Sequence, residues 1–409
     1  MNKRLIITLI TIIGFILITT IIIALGRGYR FNPKTKSFQS TGLLVSSSFP
    51  TGSQVFVDDH LVSATNSTIP LPPGTYNVKI TKDGYIPWSK KLTIKGEVVT
   101  KADALLLPVA PELRPLTTTG ALNPSLSSDG IKISYGVATS SAEKQGIWIL
   151  DLSDRPLSFQ STARQIVKDN EFIKYSQGKT YWSPDGKQIL IQTEQNYYLL
   201  NTDVMNDNPE DTSLTIEFLI QSWIKEKTDK EEALFKTLKP KFQESIKESI
   251  KILSYSPDET KILYEATASA IIPEIITPPL IGTNSQPEER SIKEGNIYIY
   301  DAKEDKNFQI KQGEKQKEAN PEDKNIVLDY LNSLKTPEIQ WLPDSQHIIL
   351  VENKKINIVE YDGTNKSTLI SAPFEDNFVF PFPNVTRLVI LTTLNPSLTT
   401  PNLYSLSLR

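Results

Sequence analysis

The sequence predicts a mainly β chain: an N-terminal transmembrane helix, a small β-sandwich, then a β-propeller of about five blades with helical insertions. Three observations predict it. Leu5 to Leu25 is an uncharged apolar run. Strand-period alternation begins near residue 43 and is punctuated by turn clusters. An aromatic–x–Pro–Asp phrase followed by an apolar strand occurs as YWSPDGKQILI (181–191), SYSPDETKILY (254–264) and QWLPDSQHIIL (340–350).

The helix comes first. At about 1.5 Å per residue, Leu5 to Leu25 spans roughly 30 Å, one hydrocarbon core. Lys3 and Arg4 precede the run, and Arg27 and Arg30 follow it. The threonines within it can return their hydroxyls to helix carbonyls. A cleaved signal peptide would have a shorter apolar region and a small-residue cleavage site, and IIALGRG is a poor one. Residues 1–30 are therefore read as an uncleaved anchor, with the membrane as its partner through residues 5–25. The expected layout is single-pass in the cell membrane, N-terminus cytoplasmic and the bulk of the chain extracytoplasmic. The count of flanking Lys and Arg runs slightly against that orientation.

Composition bounds the chemistry. The chain has 409 residues, enough for two or three domains, and a net charge of −3. A general nucleic-acid footprint is absent, and no nucleic-acid partner is expected. With no cysteine, disulfides, thiolate metal sites and a cysteine nucleophile are excluded.

Residues 31–42 read as a polar linker, and 43–107 as a compact antiparallel sandwich. The turn signatures there fall in order: Pro50-Thr51-Gly52-Ser53, Val55-Phe56-Val57-Asp58, Pro73-Gly74-Thr75-Tyr76 and Lys82-Asp83-Gly84-Tyr85. With the strand from Val45, they resemble a PEGA domain. The resemblance implies a binding or spacer module of surface and envelope proteins, without catalysis. Thr51 and Ser53 depart from the family's naming motif, and Asp59 replaces the usual hairpin Gly. That replacement argues against a tight two-residue turn. Gly74 and Gly84 are expected to supply positive φ, and Tyr85 and Trp88 to pack.

The repeated phrase reads as a tight turn: Pro fixes φ, and Asp bonds amides two residues on. Its Asp or Asn positions are Asp129, Asp185, Asp258, Asp344 and Asn384, at intervals from about 40 to 86 residues. Each turn begins a strand, and a second apolar strand follows. Four-stranded units of this kind stack radially, so 108–409 reads as a propeller with insertions at 209–249, 266–295 and 312–336. Leu113–Thr118 is expected to pair with Asn402–Leu408 and close the ring. Ser183-Pro184-Asp185-Gly186 resembles the signature turn of the TolB-type, WD-like propeller repeats; the other copies match in part. The phrases IYIYDAKEDKNF and VEYDGTNKSTL resemble anchored PEGA–propeller proteins of candidate-phyla bacteria, a likeness that brings no activity.

The insertion 209–249 reads as helices with an apolar face of Ile216, Leu219, Ile220 and Trp223. A second face holds Phe242, Ile246 and Ile250, and Pro240 separates the two. A further helix is expected from cap Asn320 and Pro321. Both helical insertions are expected to cap one propeller face. The Pro-rich 266–295 has no regular period, and its Ile-Ile-Pro stretches are read as docking onto the helices or a partner.

No hydrolase elbow, zinc helix, phosphate loop or calcium loop occurs. His60 and His347 are the only histidines. Asp58-Asp59 and Glu288-Glu289 read as solvated charge. Catalytic, cofactor-binding and metal residues: none are expected, and no cofactor. The function expected is a non-catalytic, membrane-anchored extracytoplasmic binding or scaffold protein of the bacterial envelope. Its propeller would present a surface to an unknown envelope protein or glycan. The alternative is an anchored envelope hydrolase with its site in or on the propeller.

Overall fold

The structure is a computed structural model that describes residues 3–26, 28–32, 37–139, 141–153, 163–246, 248–313, 325–371, 374–375, 377–394 and 400–408. Among these residues the chain divides into two compact units, 1–106 with 276–287, and 107–275 with 288–409.

The first unit opens with α1 (Lys3–Gly26), whose span Ile6–Gly26 is uncharged, mostly apolar and without buried residues. Its length and composition fit a single-pass membrane anchor or a signal sequence. Thr11 donates to the Ile7 carbonyl at 3.1 Å and Thr20 to that of Ile16 at 2.8 Å. These bonds keep the hydroxyls satisfied without water. β1 (Tyr29–Asn32) and β2 (Ser37–Ser40) pair as a hairpin where a plain spacer was expected. Residues 33–36 lie outside the described residues.

The sandwich follows. β3 (Gly42–Phe49), β6 (Ser67–Leu71) and β9 (Val99–Leu105) form one sheet in the order β6-β3-β9. β4 (Gln54–Val57), β5 (His60–Ala64), β7 (Gly74–Thr81) and β8 (Trp88–Ile94) form the other, in the order β5-β4-β7-β8. Strand alternation puts Leu44, Val55, Val78, Ile80, Trp88 and Ile94 in one core, with Tyr85 packed at its margin. Not every pair is antiparallel: β3 and β9 run parallel, because the second sheet is threaded between them in sequence.

Two turn expectations need correction. Asp58 and Asp59 do form a two-residue turn, with φ of 47° and 64°, joining Val57 to its partner His60. Asp tolerates this conformation, and the Asp58 carboxylate accepts the Asn77 amide at 2.9 Å. Gly84 has the positive φ expected of it, at 81°, whereas Gly74 lies within β7 and is absent from the positive-φ glycines.

The second unit holds five four-stranded antiparallel sheets. Blade 1 is Leu122–Leu126, Lys132–Val137, Gly146–Asp151 and Ala163–Lys168. Blade 2 is Lys179–Trp182, Gln188–Gln192, Tyr197–Asn201 and Glu210–Asp211, so that the following insertion starts after Asp211 and not at 209. Blade 3 is Ile250–Tyr255, Lys261–Ala266, Ile297–Asp301 and Lys306–Lys311. Blade 4 is Ile339–Trp341, His347–Glu352, Lys355–Glu360 and Ser367–Ile370. Blade 5 takes Val379–Pro381, Arg387–Thr392 and Asn402–Ser407, and receives Leu113–Pro115 as its fourth strand. The expected pairing of the two distant segments is present, with Leu113 opposite Leu406. Asn402 secures it: its side-chain oxygen accepts from the Thr117 hydroxyl and the Gly120 amide, both at 3.0 Å.

The repeated phrase is one structure made five times. The residue after each Asp or Asn has positive φ: Gly130 74°, Gly186 70°, Glu259 58°, Ser345 59° and Val385 57°. Each of these amides bonds back three residues, to Ser127, Ser183, Ser256, Leu342 and Phe382. Each Asp or Asn oxygen then accepts the amide two residues on: Ile131, Lys187, Thr260, Gln346 and Thr386. The side chain satisfies a donor that the reversal leaves free. The strands leaving the turns keep register too: Lys132 opposes Asp151, Gln188 Asn201, Lys261 Asp301, and His347 Glu360.

Each strand's alternation feeds two interfaces. Ile147, Ile149, Ile189 and Ile191 join blade 1 to blade 2, and Leu263, Ile299, Ile348 and Leu350 join blade 3 to blade 4. Ile133 and Tyr135 meet Phe378, Phe380 and Leu403, so blade 5 packs on blade 1. Blade 2's remaining face, with Leu190, is covered by α2 (Ile216–Thr237) and α4 (Ile326–Ser333). The open face of blade 3, with Tyr264 and Tyr300, is covered by α3 (Pro240–Ile246). The helices thus occupy the place of a blade 2–blade 3 interface and do not simply cap one end. Ile216, Ile220, Trp223, Phe242 and Ile246 are buried as the periodicity predicts, but Ile250 already belongs to blade 3. α4 is capped by Asn325, whose side chain accepts from Val327 and Leu328; Asn320 and Pro321 lie outside the described residues.

In the Pro-rich segment, Ile272 is buried against α3, as docking on the helices requires, while residues 276–287 group with the first unit.

Two outcomes follow. Glu259→Gly relieves a left-handed non-glycine residue at an exposed turn and should raise unfolding stability by about 1 kcal/mol in urea titration. Asp185, Asp258 and Asp344 all titrate below the usual carboxylate range. The Ser183 bond leads at Asp185; at Asp258 and Asp344 burial pushes upward but is outweighed by bonds from Ser256 and Thr260, and from His347. A depressed folded value means stability present above the unfolded pKa and lost as pH falls through the folded one. Unfolding free energy should therefore drop between about pH 5 and 3, and Asp344→Asn should flatten that slope.

Candidate functional site

The residues singled out in sequence are mostly committed to the fold. His347 begins a blade 4 strand, is buried, and its Nδ1 meets Asp344 Oδ2 at 2.8 Å. His60 is exposed, with Nδ1 2.8 Å from the Asp58 carbonyl oxygen. The turn carboxylates serve as amide acceptors, as described above. Among the described residues, no group of three or more His, Asp or Glu is placed to hold a metal ion.

Glu288 corrects the expectation of solvated charge. It sits 2.9 Å from both Arg290 Nε and Lys306 Nζ. Arg290 also reaches Asp305 at 3.3 Å and the carbonyls of Pro273 and Asp305. Its neighbour Glu289 is exposed and accepts the Ser291 amide at 2.9 Å. A second buried pair lies at the base of a turn. Lys261 Nζ is 3.9 Å from Asp301 and from Asp258, and 4.8 Å from the Tyr361 ring centroid. Burial raises Asp301 above the usual carboxylate range, against bonds from the Glu304 and Lys303 amides and the charge of Lys261.

A concave surface lies between α2 and α4. It is a groove of about 480 Å³ lined by Ile224, Lys227, Thr228, Glu231, Ile326, Asp329 and Tyr330. Helical spacing explains its composition: Ile224, Lys227, Thr228 and Glu231 recur at three and four along α2. Lys227 and Glu231 stand 3.9 Å apart. Tyr330 is 7% exposed, and its phenol is pushed up to about 12 by burial and then by Glu226 and Glu231. Tyr255, at the end of blade 3's first strand, is raised to about 12 by burial and by Glu231. Its hydroxyl is buried without a hydrogen-bond partner. The groove thus combines the apolar walls of Ile224 and Ile326 with the Glu231 and Asp329 carboxylates, the Lys227 ammonium and the Tyr330 phenol, a set that offers both donors and acceptors. Sequence reading placed the helices but missed the groove, because its walls come from insertions about a hundred residues apart and their pairing has no local signal.

Asp301→Ala would leave Lys261 buried beside one partly exposed carboxylate. Such an uncompensated charge should cost about 3–5 kcal/mol in chemical unfolding, whereas Lys261→Met with Asp301→Asn should cost less.

No curated protein matches the chain. Among solved structures it is similar to a putative TolB from Agrobacterium tumefaciens, at 14% identity over 71% of this chain and 79% of that one, with a TM-score of 0.21. It is similar to TolB from Acinetobacter baumannii at 15% identity, over 81% of this chain and 60% of that one, with a TM-score of 0.23. An oligogalacturonate lyase from Vibrio parahaemolyticus is similar at 9% identity, over 90% and 99% of the two chains, with a TM-score of 0.23. The PEGA domain family matches residues 41–109, which span the sandwich of β3 to β9. The chain therefore carries a PEGA domain, followed by a mainly β propeller unit.

Proposed function

We propose that the protein is a non-catalytic binding or scaffold protein of the bacterial envelope. α1 holds it in the cell membrane, and the bulk of the chain stands on the extracytoplasmic side. The propeller unit presents the groove between α2 and α4 to a protein partner. The groove carries this reading: it joins a concave apolar surface to a few fixed polar groups, the usual make-up of a recognition site. The commitment of the turn carboxylates and of His347 to backbone and side-chain bonds favours binding over hydrolysis. Absence of cysteine is compatible with an oxidising compartment.

The test is capture by the detergent-solubilised full chain from envelope proteins and, separately, from cell-wall glycans. A saturable protein partner is expected, with affinity reduced about tenfold or more by Glu231→Gln with Tyr330→Phe. Glycan cleavage lost in the same variant would replace this reading with the hydrolase. Protease accessibility of the sandwich on intact cells checks the orientation.

A further inference from the structure

The sheet β6-β3-β9 of the first unit buries one face in the sandwich core, with Leu44, Ala102 and Ala104 pointing inward. The alternate residues form its outer face. On β3 these are Leu43, Val45, Ser47 and Phe49; on β9 they are Val99, Lys101, Asp103 and Leu105. Register sets them side by side: Leu43 with Val99, Val45 with Lys101, Ser47 with Asp103, and Phe49 with Leu105. Leu43, Phe49 and Val99 are 39%, 40% and 47% exposed, and Lys101 and Asp103 are exposed as well. Large apolar residues grouped on a water-facing sheet mark an interaction surface.

The order of these residues points to the occupant. Taken outward from Ala102, β9 has opposite charges at its first outer-face positions, Lys101 and Asp103, and apolar residues at the next, Val99 and Leu105. Taken outward from Ser46, its partner in register, β3 has Leu43 at one end and Phe49 at the other. A two-fold axis in the plane of the contact, crossing the strands at Ser46 and Ala102, therefore superposes like on like in hydropathy and unlike on unlike in charge. Lys101 meets Asp103 of the second copy, and the same contact recurs across the axis. Val99 meets Leu105, and Leu43 meets Phe49. An axis along the strands would set β9 over β6 instead, with Lys101 over Thr68, the residue level with it through Val45. Ser47 donates to Asp103. The carboxylate has lone pairs for the lysine too.

We propose that the outer face of β6-β3-β9 is a self-association surface, on which a second copy of this chain stacks sheet on sheet with its strands antiparallel. Sheets packed this way lie about 10 Å apart, with strand directions within about 30° of each other. The contact is isologous, so it closes at two copies. It does not involve the groove of the second unit.

The experiment is sedimentation of the full chain in detergent micelles over a range of concentrations. Lys101→Glu sets carboxylate against carboxylate on both sides of the axis, and Asp103→Lys sets ammonium against ammonium. Both positions are exposed, so neither change touches the core. Each should raise the dimer dissociation constant about tenfold or more. The double reversal, Lys101→Glu with Asp103→Lys, should return it to within about threefold of the parent value. An equimolar mixture of the two single variants should also pair, because one copy is then acidic at both positions and the other basic at both. A parent chain that stays monomeric would overturn the proposal. Association that neither reversal weakens would place the contact on α1 or on the second unit, and would overturn it too. So would single variants that dissociate but fail to pair when mixed.

Discussion

One interaction underlies the propeller unit: a side-chain oxygen accepting the backbone amide two residues ahead, at the reversal between the first two strands of each blade. A chain that turns this sharply strands an amide and asks one residue to take positive φ. The Asp or Asn supplies the acceptor, and the next residue supplies the conformation. Where that residue is Gly130 or Gly186 the backbone is relaxed; where it is Glu259, Ser345 or Val385 the rest of the blade holds it there. The same geometry sets register, because the strand leaving each turn starts at a fixed distance from it. Cross-strand pairs such as Lys261 with Asp301 then recur at equivalent positions.

Packing follows from register. In blade 2, Ile189 and Ile191 face blade 1, while Leu190 faces the helices. In blade 3 the split is between Leu263 and Tyr264. A strand buried on both faces reads as a continuous apolar run, and such runs appear here as QILIQ, KILYEA and HIILVE. The sequence alone does not say what each face meets. That is why the helices read as a cap, although they stand in for one blade-to-blade interface.

Much of the architecture was legible in residues. The turns, the PEGA-like segment, the two helices parted by Pro240, and the pairing of Leu113 with the strand ending near Leu408 all followed from local chemistry. What was not legible is long-range. Asp59 looked unsuited to a tight turn because the Asn77 amide that holds Asp58 is remote in sequence. Glu288 looked solvated because Arg290 and Lys306 approach it only through a fold-dependent network. The groove beside Tyr330 depends on distant segments meeting.

The blade that combines Leu113–Pro115 with Asn402–Ser407 also has a mechanical meaning. A pull travelling along the chain from α1 reaches the second unit through this short stretch before any other strand. Three ladder partners and the buried Thr117–Asn402 latch take up that load where the chain first enters the unit. The seam between two segments so distant in sequence is therefore one of the places where tension enters the second unit, beside the junctions that flank residues 276–287.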